Sequence, residues 1–414
     1  MPLTPSTPLE LAEPSRAAAL RRRVLLVVFV TVFLDMIGFG VVVPILPLAI
    51  QPMGGSPKTV GALLTCFSAA QLLATPLLGR LSDRYGRRSV ILVSLTGNAV
   101  SMIVFALAIR LSLLPLLFAS RILAGATSGN LSACQAAIAD VTDRSQRAQG
   151  MGRVGAGIGL GLVLGPVLGG VVSSLAPEAP PLASALMALF ALGLAIFLMP
   201  ETRRAGAPAG PQRRGAVAAF FVMLSERRLA PILAISFVTF VSLATMQVAL
   251  PLMGWARLGW GEHEIGYLFG LLGLCTLVVQ GALIGPLTRL TGELNLILLG
   301  AVLIAAGMVL LSSALHPVVL AAGITLFGVG VGIINPSIAS LASRFAPEDQ
   351  QGAAFGVVQS AGGLGRVVGP TCAGMLFAEL GSGAPFLGGA AAAALCLLAG
   401  VYLKVIVADP TTRA

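Results

Sequence analysis

The chain is built from long apolar runs with little polar chain between them. Stretches at roughly 24–50, 59–79, 89–109, 115–139, 151–174, 182–199, 229–254, 264–287, 294–314, 318–343, 351–380 and 385–407 are nearly free of charge. A helix of about 20 apolar residues crosses a hydrocarbon core, and inside lipid a helix satisfies all its backbone hydrogen bonds locally. We therefore expect an all-α integral membrane fold of twelve transmembrane helices, numbered here as spans 1–12 in the order given. Composition agrees: 57% of residues are hydrophobic and only 10% charged, whereas soluble domains carry about a quarter charged.

A net charge of +10 suggests nucleic-acid binding in a soluble protein, but here the basic residues collect in alternate loops. Of the 26 Lys and Arg, Lys58, Arg110 and Arg257 fall in one set of loops and Arg121 and Arg366 lie deep in spans, which leaves 21 on the other side. Positive loops stay in the cytoplasm, so both termini are expected there, in a bacterial inner membrane, with no nucleic-acid partner. Arg21, Arg22 and Arg23 precede a run too long for a signal peptide, so span 1 is expected to be retained. Cys66, Cys134, Cys275, Cys372 and Cys396 fall in spans without metal-ligand spacing and read as packing residues. Lys58 and Lys404 end no Gly-x-x-x-x-Gly-Lys run, which argues against ATP as the fuel. No cofactor or metal is expected, and no His/Asp/Glu cluster of an enzyme lies in the spans.

The longest polar interruption, 201–228, reads as a linker between a bundle at 24–200 and a second at 229–407, flanked by tails at 1–23 and 408–414. The halves repeat. Gly161-x3-Gly165-Pro166 returns as Gly365-x3-Gly369-Pro370, and Ala148-x2-Met151-Gly152 as Gly352-x2-Phe355-Gly356, both 204 residues on. Gly79, Leu81 and Gly86 return as Gly285, Leu287 and Gly292, with Arg289 in place of Asp83. Duplicated bundles suit a carrier that exposes a central site to each side in turn.

Gly79-Arg80-Leu81-Ser82-Asp83-Arg84-Tyr85-Gly86-Arg87-Arg88 joins spans 2 and 3, with Gly79 and Gly86 expected to permit the reversal and close approach. The block resembles the loop signature of the major facilitator superfamily. That resemblance implies that Asp83 caps the start of span 11 and that Arg84, Arg87 or Arg88 pairs with Asp140 at the end of span 4, near Asp143, Arg144 and Arg147, as a conformational gate. Read plainly, it is a solvated charge run worth about 0–1 kcal/mol per pair.

Span 5 carries Gly152-x8-Gly161-x3-Gly165-Pro166-x2-Gly169-Gly170, which is similar to the antiporter motif of drug:proton exporters and implies a seal between spans 5 and 8. Its glycines flatten a helix face and Pro166 removes a backbone donor. Span 1 carries Asp35, then Ile37-Gly38-x5-Pro44-Ile45-Leu46-Pro47, again like those exporters. A mid-span carboxylate costs about 2.5–3.5 kcal/mol on insertion scales, so Asp35 is either a proton carrier or half of a structural ion pair. Arg121, followed by Gly125, resembles the Arg-x3-Gly motif near the proton site and is the expected partner of Asp35; tying spans 1 and 4 together is an equal reading.

Gln71, Asn98, Ser101, Asn130, Gln135, Gln247, Gln280, Asn335 and Gln359 are candidates to face a central cavity. Arg366 stands inside the repeated glycine motif and has three readings: contact with an anionic substrate group, with a carboxylate, or with the opposite half. Together the motifs resemble the twelve-helix drug:proton antiporters, most closely tetracycline-type efflux proteins. The resemblance implies a monomer that exports a hydrophobic or amphiphilic small molecule, with H+ as coupling ion. Ser101 and Ile304 stand where tetracycline-type exporters carry further acids, which points away from a drug–metal chelate. A facilitator or exporter of a metabolite, sugar or lipid is the alternative, and the span-5 motif argues against it.

Overall fold

The computed structural model describes residues 14–142, 144–203, 226–346 and 351–408. The tails beyond them, most of the 201–228 linker and Asp143 lie outside the described residues. Among those described, regular structure is entirely helical. Span 1 is Pro14–Ile50, span 2 Pro57–Tyr85, span 3 Arg87–Leu111, span 5 Arg144–Ser173 and span 6 Ala179–Leu198. In the second half, span 7 is Leu229–Leu258, span 9 Glu293–Ser312, span 10 Pro317–Phe345, span 11 Gln351–Leu380 and span 12 Ala384–Ala408.

Two spans are irregular. Span 4, expected to be continuous, is split into Leu114–Ala126 and Asn130–Val141. The reason is local: the Thr127 hydroxyl donates to the Leu123 carbonyl at 2.9 Å and that of Ser128 to Ala124 at 2.8 Å, and Gly129 follows. Such back-bonding competes with the helix ladder. Span 8 begins as Glu262–Val278, widens to a π-helical turn at Val279–Leu283 and ends as Ile284–Thr291. Ten helices are long and apolar enough to cross a membrane; the broken span 4 and the glycine-rich, 30-residue span 11 complete the expected twelve.

The bilayer acts as solvent for much of the surface. Phe197 is 86% exposed and Leu398 65%, positions that cost little against lipid tails. Short connections with explicit stops set the alternation of direction. Ser56 caps span 2 reciprocally with Thr59, with Pro57 at the first turn, and Gly86, at φ 98°, is the whole connection from span 2 to span 3. Span 2 thus runs six residues beyond the expected limit at 79. Gly79 lies within it with open space where a Cβ would be, so the reversal rests on Gly86 alone.

The face bearing the chain ends is called terminal below, and the opposite face distal. Span 2 packs on span 11 and span 5 on span 8, joining the two halves. A Cβ on Gly374 would lie 2.6 Å from the Pro57 carbonyl oxygen, and one on Gly170 2.7 Å from that of Glu262. Gly61 lies equally close to the Pro370 carbonyl and Gly266 to that of Pro166. Polar links follow the same seam: Lys58 to Glu379 at 2.9 Å, and Thr65 to Thr371 at 2.7 Å and to the Val367 carbonyl at 3.1 Å. On the terminal side, the bonds of Asp140 and Glu201 stay within the first half and those of Glu293 within the second. The halves are therefore clasped distally.

That clasp leads to a prediction. Gly61→Val places carbon where the Pro370 carbonyl sits, so the distal ends must part. With the native cysteines replaced by serine, a Thr65→Cys probe is expected to react several-fold faster with a membrane-impermeant maleimide added on the distal side. An unchanged rate would show that the clasp does not depend on this contact.

Candidate functional site

Asp35 sits midway along span 1, half-buried, and its Oδ1 accepts from Asn98 Nδ2 of span 3 at 2.9 Å. The interruption in span 4 lies beside this pair. Thr127 occupies the space a Cβ on Gly97 would need, and Asn130 opens the second half of span 4, accepting from Cys134 Sγ at 3.3 Å. Non-helical backbone at membrane depth is tolerated where protein buries it or water reaches it.

Three buried polar atoms continue the theme. Thr31 Oγ1, Ser94 Oγ and Asn130 Nδ2 have no hydrogen-bond partner among the described residues. Thr31 precedes Asp35 by one turn and Ser94 precedes Asn98 by one turn, so both lie to one side of the Asp35–Asn98 pair along their own helices. Buried polar groups are normally bonded to protein or to ordered water. Thr31 and Ser94 belong to no sequence motif, and their i−4 spacing from Asp35 and Asn98 is the signal that marks them.

Arg121, expected to partner Asp35 directly or through water, makes no direct ion pair with it. Its guanidinium stands 4.4 Å from the Phe105 ring centroid and reaches Ser120 Oγ at 3.5 Å and Met102 Sδ at 3.8 Å. The charge is thus held by a ring face and soft acceptors, at 3% exposure. Of the cavity candidates, Ser101 and Asn130 are buried, and Ser101 donates to its own helix at the Asn98 carbonyl. Gln71, Asn98, Gln135, Gln247 and Asn335 are partly exposed. Gln359 and Gln280 are exposed, the latter in the π-helical turn of span 8. Arg366 is half-buried with its guanidinium 4.6 Å from the Phe240 centroid.

The span-5 motif divides its labour. Gly161, Gly165 and Gly169 face span 1, where a Cβ would meet Met36, the Ile37 carbonyl oxygen at 2.7 Å and the Val41 carbonyl oxygen at 2.8 Å. Pro166 and Gly170 meet span 8, and so do Gly159, Val163 and Val167 from between the named motif positions, against Leu277, Gly273 and Gly270. Gly152 faces open space. The expected contact with span 8 therefore runs along one face of span 5, while Gly161, Gly165 and Gly169 on another bind the first half together.

At the terminal end of spans 2–4, Arg87 is the hub. Its Nη1 donates to Asp83 and to Ser82 Oγ, and its Nε donates to Asp140 Oδ2 at 3.1 Å. Arg88 donates to the Ile196 carbonyl at 2.7 Å, and Arg84 stacks on Tyr85. Asp83 is 60% exposed and accepts from Arg87; residues 347–350 ahead of span 11, where the expected cap falls, lie outside the described residues. Asp143 lies outside the described residues, as do the side chains of Arg144 and Arg147. Glu201, read from sequence only as the start of the linker, accepts from the backbone N–H of Arg87 at 2.9 Å and of Arg88 at 3.3 Å. It caps span 3, and its carboxylate fills the space a side chain on Gly86 would need.

This architecture and site match known transporters. The Major Facilitator Superfamily matches residues 28–370 and, in a second match, 235–414. The chain belongs to the Major Facilitator Superfamily. It is a multi-pass membrane transporter of small molecules, not an enzyme. The chain is 33% identical over 385 residues to the tetracycline resistance protein, class C, of Escherichia coli, covering 90% of this chain and 95% of that one. It is 27% identical over 360 residues to multidrug resistance protein 1 of Bacillus subtilis (strain 168), covering 85% and 89%. The crystal structure of the human organic anion transporter MFSD10 (TETRAN) superposes with a TM-score of 0.70 at 26% identity, covering 92% of this chain and 99% of that one. The nucleoside transporter NupG shares the fold, with a TM-score of 0.75 at 13% identity, covering 92% and 99%.

Glu201→Ala removes the two N–H acceptors at the start of span 3. A lost N-cap costs about 0.5–2 kcal/mol, so the purified variant is expected to melt several degrees below the parent. Equal melting temperatures would mean that the cap is not used in the membrane protein.

Proposed function

We propose that the protein is a proton-coupled antiporter that exports hydrophobic or amphiphilic small molecules by alternating access. The membrane is a bacterial inner membrane, with the terminal face in the cytoplasm. The observation that carries the reading is Asp35, the only acid deep in the spans, hydrogen-bonded to Asn98, with the unpartnered Thr31 hydroxyl one turn before Asp35 and that of Ser94 one turn before Asn98. A proton taken up by Asp35 when the distal clasp opens is released to the cytoplasmic side once the clasp closes. Arg121, beyond reach of deprotonation at working pH, supplies a fixed charge in the same half, and Arg87 with Asp83 and Asp140 forms the cytoplasmic gate.

Relatives named as tetracycline and multidrug resistance proteins support export of drug-like molecules. Ser101 and Ile304, where tetracycline-type exporters carry acids, are 0% and 1% exposed. They can offer no carboxylate to a metal chelate, so the reading favours other amphiphiles. Neighbours named as organic anion and nucleoside transporters share the architecture, so substrate class rests on side chains, not on the fold. One proton crossing 100 mV releases about 2.3 kcal/mol, and at about 1.4 kcal/mol per decade this sustains roughly a fiftyfold gradient of a neutral substrate.

The reading is tested in proteoliposomes. Asp35→Asn is expected to reduce efflux driven by a pH gradient to the level of protein-free vesicles while leaving substrate binding in detergent. Efflux at the parent rate would remove Asp35 from the coupling.

A further inference from the structure

Three formally charged side chains lie deep in the spans: Asp35, Arg121 and Arg366. Two are cations, and neither is ion-paired with the acid, which is bonded to Asn98. With Asp35 ionised their formal charges sum to +1, and with Asp35 protonated to +2. A buried cation without a counter-charge is costly in a membrane and marks a functional position by default. Arg121 is enclosed, at 3% exposure, with Phe105, Ser120 and Met102 around it.

Arg366 is different. It is half-buried at the middle of span 11. Gly363 and Pro370, three residues before it and four after, contact Leu72 and Gly61 of span 2, so Arg366 lies on the flank that turns to the other half. The lipid side of span 11 is carried by Leu364, Val368 and Met375, exposed by 40%, 39% and 50%. Phe240 of span 7 covers one face of the guanidinium at 4.6 Å. A ring on the face leaves the in-plane N–H fork, which suits a carboxylate. Gln359, exposed two turns toward the terminal face, offers a further amide donor.

We propose that Arg366 binds an anionic group, a carboxylate or an oxyanion of like shape, on an amphiphilic substrate whose apolar body lies in the cleft between the halves. This names the substrate class of the antiporter reading above and rests on that reading for the direction of transport, but not for binding. Protonation of Asp35 raises the positive charge of the core and so favours the anion. Export of a monoanion against one proton moves two charges per turnover rather than one.

The test uses two dyes on one xanthene skeleton, anionic fluorescein and cationic rhodamine 6G, with binding to the purified full-length protein in detergent followed by fluorescence anisotropy. The parent is expected to bind fluorescein more tightly than rhodamine 6G. A hydrogen-bonded charge contributes about 1.5–3 kcal/mol, so Arg366→Gln should weaken fluorescein roughly 10- to 100-fold and leave rhodamine 6G unchanged or tighter, which also shows that the variant is folded. Arg366→Lys, which keeps the charge and loses the fork, should fall between. Asp35→Asn should bind fluorescein at least as tightly as the parent even though it is expected to lose proton-driven efflux, so a failure of coupling and a failure of anion recognition are separable. Preference of the parent for rhodamine 6G, unchanged fluorescein binding in Arg366→Gln, or equal loss of both dyes would overturn the proposal.

Discussion

The structure depends on helices approaching closely enough for one backbone to occupy the space of another residue's missing Cβ. In the first half Gly161, Gly165 and Gly169 of span 5 admit the backbone of span 1, and in the second Gly365 and Gly369 of span 11 admit that of span 7, with a Cβ on Gly369 only 2.8 Å from the Val241 carbonyl oxygen. At the distal end the same helices cross over: Pro166 and Gly170 meet span 8, and Pro370 and Gly374 meet span 2. Each motif therefore has one face that holds its own half together and another that clasps the other half. In the proposed alternating access only the second would release. Its polar part is modest, since the Lys58–Glu379 pair is exposed by 52% and 63% and such pairs contribute about 0–1 kcal/mol. A clasp of backbone contacts, one screened pair and the hydrogen bonds of Thr65 is reversible.

The terminal ends carry a second duplicated device, with its charges exchanged. Arg87 at the start of span 3 pairs with Asp140 of span 4, whereas Glu293 at the start of span 9 pairs with Arg344 of span 10 at 2.9 Å. The attraction between partners is indifferent to which helix carries which sign, but the helix dipole is not. An acid at a helix N-terminus is favoured and a base is not, so Glu293 needs no help from the linker. Arg87 does, and Glu201 supplies it by accepting from the N–H groups of Arg87 and Arg88. Gly86 and Gly292, with φ of 98° and 75°, make the same turn in both halves.

Much of this is legible in the sequence. Span number, the two halves and the 204-residue repeat follow from apolar length and glycine spacing, both local properties. Pairing is less legible. Arg121 and Asp35 are the obvious ion pair on paper, yet rotation about spans 1 and 4 turns Asp35 to Asn98 and Arg121 to Phe105. A charge in low dielectric can be held by amides and rings as well as by its opposite, and composition does not reveal which. The break in span 4 is hidden because Thr127, Ser128 and Gly129 are each tolerable in a membrane helix singly. Glu201 escapes notice because its role is set by a contact 114 residues away in the chain.

The irregular backbone and the uncompensated charge belong to one arrangement. The break at 127–129 lies against Gly97, next to the residue that holds Asp35, and the π-helical turn of span 8 brings Gln280 to the surface in the opposite half. Both interruptions lie at a depth where lipid cannot bond main-chain groups, and neither contains a proline. Arg121 and Arg366 are likewise seated on phenylalanine rings rather than on carboxylates. A core filled only for stability would pair its charges and complete its helices. This one keeps one acid and two bases apart, each with a neutral partner, which is the arrangement that the proposed uptake of a proton and of an anion requires.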